Sequence, residues 1–166
     1  MSVGGQHRVT SAVGLGLGVV GATMVVVGVT ARRDVRRTLA RERITATGDM
    51  RQPGVAVRSP RDARDLAEVI RRATVASTGG RTYSETPQYV DAGGEPTGDA
   101  GDAARDERTG RPLSNPGYDL WIRSTTLQSA LMQAYLGFRV AEFTAAVGGA
   151  FALAGVGIAF AGRNER

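Results

Sequence analysis

The chain carries few residues with which to do covalent or metal chemistry. Its one histidine, His7, has no carboxylate cluster around it in sequence, and the absence of cysteine removes disulfides, thiolate nucleophiles and thiolate metal sites. Neither a Gly-x-Ser-x-Gly elbow nor a phosphate-binding loop occurs. Gly14-x-Gly16 stands inside an uncharged apolar run, not at a strand-to-helix turn, so it is no dinucleotide fingerprint. Asp99, Asp102 and Asp106 lack the alternating ligands, glycine turn and closing bidentate acid of a calcium loop, and read as a solvated stretch. The expectation is a protein without catalytic residues, cofactor or metal.

Three other sets of residues are placed to do physical work. Gly14, Gly18 and Ala22 recur every fourth residue, as do Gly148 and Ala152, with Gly155 and Ala159 beyond them. Small residues on one helical stripe let backbones approach closely, which is how helices pack in lipid. Arg139 and Glu142, three apart, form an ion pair at the headgroup level if a membrane span starts at Phe143. If the span starts near Leu127 they lie inside the bilayer and mark an ion path or partner contact. Arg32, Arg33, Arg36 and Arg37, followed by Arg41 and Arg43, make a basic collar suited to anionic lipid headgroups. The collar lacks the fold and interleaved aromatics that would favour nucleic acid.

These sets need elements to hold them, and the charge-free runs supply two. Val9 to Ala31 is 23 residues without a charge, and Phe143 to Gly162 is another 20. At 1.5 Å per residue, about 20 residues cross the roughly 30 Å hydrocarbon layer. Val29-Thr30-Ala31 also fits a signal-peptide cleavage site, but the apolar run is long for one and arginines follow at once. A retained anchor is the expectation. All 21 basic residues are arginine, beside 23 glycines, which points to a GC-rich genome and lowers the meaning of arginine richness alone.

Between the spans, Arg32 to Ile44 continues the first helix as far as Gly48. Ser59-Pro60-Arg61-Asp62 reads as a helix start. Ala63, Leu66, Ala67, Ile70 and Ala73 give this short helix one apolar face, and Gly79-Gly80 stops it. Residues 84–117 hold six glycines, four prolines and seven acids but almost no large aliphatic residue, so a disordered acidic linker is expected. After Pro116, Leu127, Leu131, Ala134 and Phe138 lead into the second span, with Trp121 and Tyr135 suited to the interface.

The predicted fold is thus an all-α membrane protein with two transmembrane helices, helical juxtamembrane extensions, one amphipathic loop helix and a disordered acidic linker. Its segments are residues 1–31 (tail and first span), 32–83 (basic extension and amphipathic helix), 84–117 (linker), 118–142 (juxtamembrane helix) and 143–166 (second span and tail). Arg123 and Arg139 join the collar on the loop side, against Arg8, Arg163 and Arg166 on the tails. The positive-inside rule then puts the loop in the cytoplasm and both termini outside a bacterial cell membrane.

Leu39-Ala40-Arg41-Glu42-Arg43-Ile44, Gly79-Gly80-Arg81-Thr82-Tyr83 and Thr126-Leu127-Gln128-Ser129-Ala130-Leu131 carry a resemblance. In these patches the chain resembles small uncharacterised two-span integral membrane proteins of high-GC actinobacteria, relative to which the acidic linker is an insertion. Such proteins are sometimes labelled ring-opening dioxygenases, a chemistry this chain lacks the histidines to support. The resemblance implies a helical hairpin anchor whose loop meets membrane lipid, a protein partner or a second copy. The competing expectation is a subunit of an oligomeric channel or a transporter accessory.

Overall fold

The computed structural model describes residues 3–44, 54 and 56–164, with side chains from Val9 to Arg163. The elements run α1 (Val3–Arg41), α2 (Pro60–Ser77), a 3-10 turn at Tyr83–Glu85, β1 (Tyr89–Val90), β2 (Pro96–Thr97) and α3 (Pro116–Asn164). The chain is mostly helical, and its two long apolar helices are joined through a short one. The described residues divide into two compact units. One comprises α1, residues 56–60 and α3 from Ala134; the other comprises residues 61–133.

In the first unit α1 runs 39 residues without a proline. The Thr23 and Thr30 hydroxyls donate to the Val19 and Val26 carbonyls one turn back, so neither is left unsatisfied on an apolar helix. The helix stops at Arg41 rather than Gly48, which lies outside the described residues. Arg43 takes a left-handed conformation (φ 50°), and the Ile44 and Arg43 N–H groups return to the Leu39 and Ala40 carbonyls. That is a Schellman cap with arginine where glycine is usual, a geometry the sequence does not announce. Val57, 2% exposed, donates its N–H to the Ile44 carbonyl, and Arg36 donates Nε to the Arg58 carbonyl at 2.9 Å. Residues 57–58 are thereby tied to the end of α1.

α2 begins at Pro60 as expected and in the second unit buries Ala63, Leu66 and Ala67, with Ile70 half-buried. Ala73, expected on that face, is exposed; Thr74 is buried instead, its hydroxyl 2.7 Å from that of Ser124. The left-handed Gly79 and Gly80 end the helix, and the Gly80 N–H returns to the Val75 carbonyl. The opening turns of α3 bring Trp121, Ser124 and Leu131 inward at 6%, 8% and 0% exposure.

Residues 84–117 are not the disordered linker that composition suggests. β1 and β2 pair antiparallel with Tyr89 opposite Thr97, and bridges join Tyr89 to Ser114, Asp91 to Ala103 and Arg105 to Pro112. The turns between them are held by the same acids that made the stretch look solvated. Asp91 Oδ1 accepts from the Gly93 and Glu95 N–H groups, Asp99 Oδ1 from Gly101, and Asp106 Oδ1 from the N–H and hydroxyl of Thr109. Such side-chain-to-backbone turns order a chain locally without a large apolar core.

α3 starts at Pro116, two residues before the expected 118. Asn115 caps it, accepting at Oδ1 from the Gly117 N–H and donating Nδ2 to the Pro87 carbonyl. The 118–142 and 143–166 segments are then one uninterrupted helix of 49 residues, about 73 Å long at 1.5 Å per residue.

Candidate functional site

Glycine decides how α1 meets the second half of α3. A methyl group placed on Gly14 would lie 2.6 Å from the Ala159 nitrogen and 2.7 Å from the Gly155 oxygen. One on Gly28 would meet the Ala141 oxygen at 2.6 Å and the Ala145 nitrogen at 2.7 Å, and one on Gly21 would strike Gly148 and Ala152 in the same way. The reciprocal positions Gly148 and Gly155 are equally closed, against Gly21 and Gly14. No Cβ fits at these places, because backbone rests on backbone.

Gly14, Gly21 and Gly28 are seven apart, as are Ala141, Gly148 and Gly155. Seven residues bring a helix back to within about 20° of the same face, whereas four residues turn it about 40° too far. The expected stripe Gly14, Gly18, Ala22 therefore rotates out of the seam. Gly18 is half-buried and supports Gly155 with its backbone, but a methyl group on it would meet nothing within 4 Å, and Ala22 is exposed. Gly148 and Ala152 stand in the seam opposite Gly21. Gly21 and Gly28 are the residues that a four-residue rule misses and a seven-residue rule would have found.

The pairing is antiparallel, and facing residue numbers sum to about 171. That register sets Val9 opposite Gly162 and Gly28 opposite Phe143, so the charge-free run of α3 is matched over its full 20 residues by that of α1. Beyond that length, Glu142 bonds in two directions. Oε1 is 3.6 Å from Arg32 of α1, and Oε2 is 3.6 Å from Arg139 one turn back on α3. The sequence offered Arg139 and Glu142 as a pair within one helix; the structure adds Arg32 and makes the cluster a link between helices. One carboxylate between two guanidiniums leaves a net charge of +1 here. The Arg32 Nε is buried without a hydrogen-bond partner among the described residues.

The rest of the collar is more open. Arg33 is exposed with no ion pair among the described residues, Arg36 holds the Arg58 carbonyl, and Arg37 reaches Asp34 at 3.4 Å while remaining 72% exposed. Val35 continues the helix pair past the charges, its Cγ2 lying 3.2 Å from where a methyl group on Gly137 would stand.

The outward faces carry the large apolar side chains. Leu15, Val19, Val26, Val140, Phe143, Leu153 and Phe160 are all more than 60% exposed. Only 17% of the most apolar window of α1 and 11% of that of α3 is buried, whereas a core helix of a water-soluble protein is mostly buried. Between the two outward faces, on one side of the seam, lies an apolar groove of about 490 Å³ with Arg163 at its end.

The second unit offers no comparable site. Among the described residues no three His, Asp or Glu side chains group as metal ligands. Asp106 is held below its ordinary value by the Thr109 hydroxyl and N–H, and Glu85 by the N–H and hydroxyl of Thr82. Both stay ionised as turn formers, the opposite of what a general acid requires. Tyr83 and Tyr118 stack at 5.4 Å with their hydroxyls 2.9 Å apart, and that hydrogen bond pushes the Tyr118 phenol up. Compared with known proteins, the chain matches no family model, no curated protein and no solved structure.

Proposed function

We propose that the chain is a non-enzymatic membrane anchor. A glycine-seamed hairpin of α1 and α3 crosses the bilayer, and the polar unit of residues 61–133 is tethered to it at both ends. The observation that carries the reading is the inverted burial of the hairpin over its charge-free length, with glycine and alanine inside and valine, leucine and phenylalanine outside. Water would disfavour so continuous an apolar surface, and lipid would not. The charge-free length of about 30 Å, shared in register by both helices, supports the same conclusion.

The collar arginines then stand at a membrane surface, where each contributes about 1 kcal/mol against anionic headgroups. Arg139 and Glu142 fall at the level of Arg32, outside the paired charge-free length. This supports a boundary role over an ion path, and ranks the channel or transporter-accessory reading second. By the positive-inside rule the loop faces the cytoplasm and the termini face outward, and the polar unit engages a cytoplasmic partner or the inner lipid surface.

Extraction of membranes at alkaline pH tests the anchor: the chain stays in the pellet, and release into the supernatant would overturn it. The native chain has no cysteine, so single thiols report topology cleanly. A membrane-impermeant maleimide labels the Asn164→Cys variant on intact cells and the Ser84→Cys variant only after permeabilisation. Labelling of the latter on intact cells would reverse the orientation.

A further inference from the structure

The groove beside the glycine seam has the dimensions and charge of a lipid site. Its floor is formed by Gly18 and Gly155, its walls include Val19 and Phe160, and it extends along α3 from Ala152 to Arg163. At 1.5 Å per residue that is about 16 Å, roughly half of the 30 Å hydrocarbon layer. The groove thus occupies the depth of one leaflet. Of its lining residues only Arg163 is charged, and it stands where the charge-free run of α3 ends.

We propose that this groove holds one acyl chain of an anionic phospholipid, with the lipid phosphate against Arg163, in the leaflet on the side of the chain termini. The inference rests on the anchor reading. An acyl chain is apolar, flexible and one leaflet deep, and its headgroup brings a negative charge to Arg163, the one charged residue of the lining. A helix from a second copy fits less well. It would be about 10–12 Å across and would need a groove along the whole span, and a parallel copy would bring a second Arg163 toward the first. The absent side chain at Gly18 and the single methyl group of Ala22 keep the groove open. Gly18 is free to change, because a Cβ there would meet nothing within 4 Å and so leaves the seam intact.

Native mass spectrometry of the full chain in mild detergent, with dioleoyl phosphatidylglycerol or dioleoyl phosphatidylcholine added, tests the site. The native chain retains one phosphatidylglycerol, favoured about fivefold over phosphatidylcholine, as expected for one arginine at a headgroup. Gly18→Leu lowers retention of both lipids at least tenfold, and Ala22→Phe does the same from the other end of the floor. Arg163→Gln keeps the acyl-chain binding and removes the preference for phosphatidylglycerol.

Equal retention by the native chain and both groove-filling variants would overturn the acyl site. An unchanged preference in Arg163→Gln would overturn the headgroup contact. A native dimer that Gly18→Leu converts to monomer would assign the groove to a second copy and so overturn the proposal. The alkaline-extraction pellet of each protein separates these outcomes from a failure of the anchor reading, since only the latter releases the native chain.

Discussion

In the paired stretch of α1 and α3 the closed positions are Gly14, Gly21, Gly28, Gly148 and Gly155, while Leu153 is 77% and Phe143 71% exposed. In the unit of residues 61–133 the buried large apolar side chains are Leu66, Trp121 and Leu131. The same residue types have exchanged places. Large apolar side chains go inward when the surroundings are water, because burial removes their surface from it. On the proposed anchor reading the hairpin's surroundings are hydrocarbon, where nothing is gained by hiding them and helix contact depends on close backbone packing. The turns of residues 84–117 show a third way to hold a chain, through local hydrogen bonds to Asp91, Asp99 and Asp106 rather than burial.

The contrast is broken most directly by one substitution made in both places. Leu131→Ala, at a position of 0% exposure, destabilises the polar unit by about 2–5 kcal/mol. Leu153→Ala changes hairpin stability by less than about 0.5 kcal/mol. Trp121, the chain's one tryptophan, reports the first by fluorescence-monitored unfolding. Helix-pair crosslinking between introduced cysteines reports the second. Equal costs would show that the outward face of α3 is itself a packed interface.

Within the hairpin, Gly21→Val costs about 1–3 kcal/mol through forced separation of the backbones, and the crosslinking yield falls. Gly149→Val, where an added Cβ meets nothing within 4 Å, leaves the yield unchanged. A smaller effect follows from Glu142→Gln, which sets Arg32 and Arg139 together without a counter-charge. With Glu142 about a third exposed, the loss is about 1 kcal/mol and shrinks as salt is added.

Acidification should separate the two regions most gently. Asp106 and Glu85 sit below their ordinary values of 3.8 and 4.5, so what they contribute is fully present above those values. It is lost as the pH falls through the lowered ones, because the protonated carboxyl no longer accepts the same bonds. Protection of the Thr109 and Thr82 amides, corrected for the intrinsic pH dependence of exchange, therefore falls as the pH drops below those ordinary values, while that of the charge-free hairpin amides stays constant. Asp106→Ala abolishes the acid dependence at Thr109. Persistence of that dependence would place its origin in another group.

Some of this was legible in the residues, for identifiable reasons. The start of α2 at Pro60 follows from a proline behind a capping serine, and Gly79-Gly80 marks a stop because glycine accepts positive φ. The early end of α1 was hidden, since Arg43 does there what glycine usually does. The order in residues 84–117 was hidden because composition counts apolar surface and does not count aspartates that close turns.

By itself the sequence determined two helices long and apolar enough to cross a membrane, because length and hydropathy are properties of consecutive residues. Tertiary structure alone decided which glycines touch and which face the groove, and brought Arg32 to Glu142, which lies 110 residues away. Those outcomes depend on the rotation and register of one helix against another, fixed by the few places where only a missing side chain lets two backbones meet.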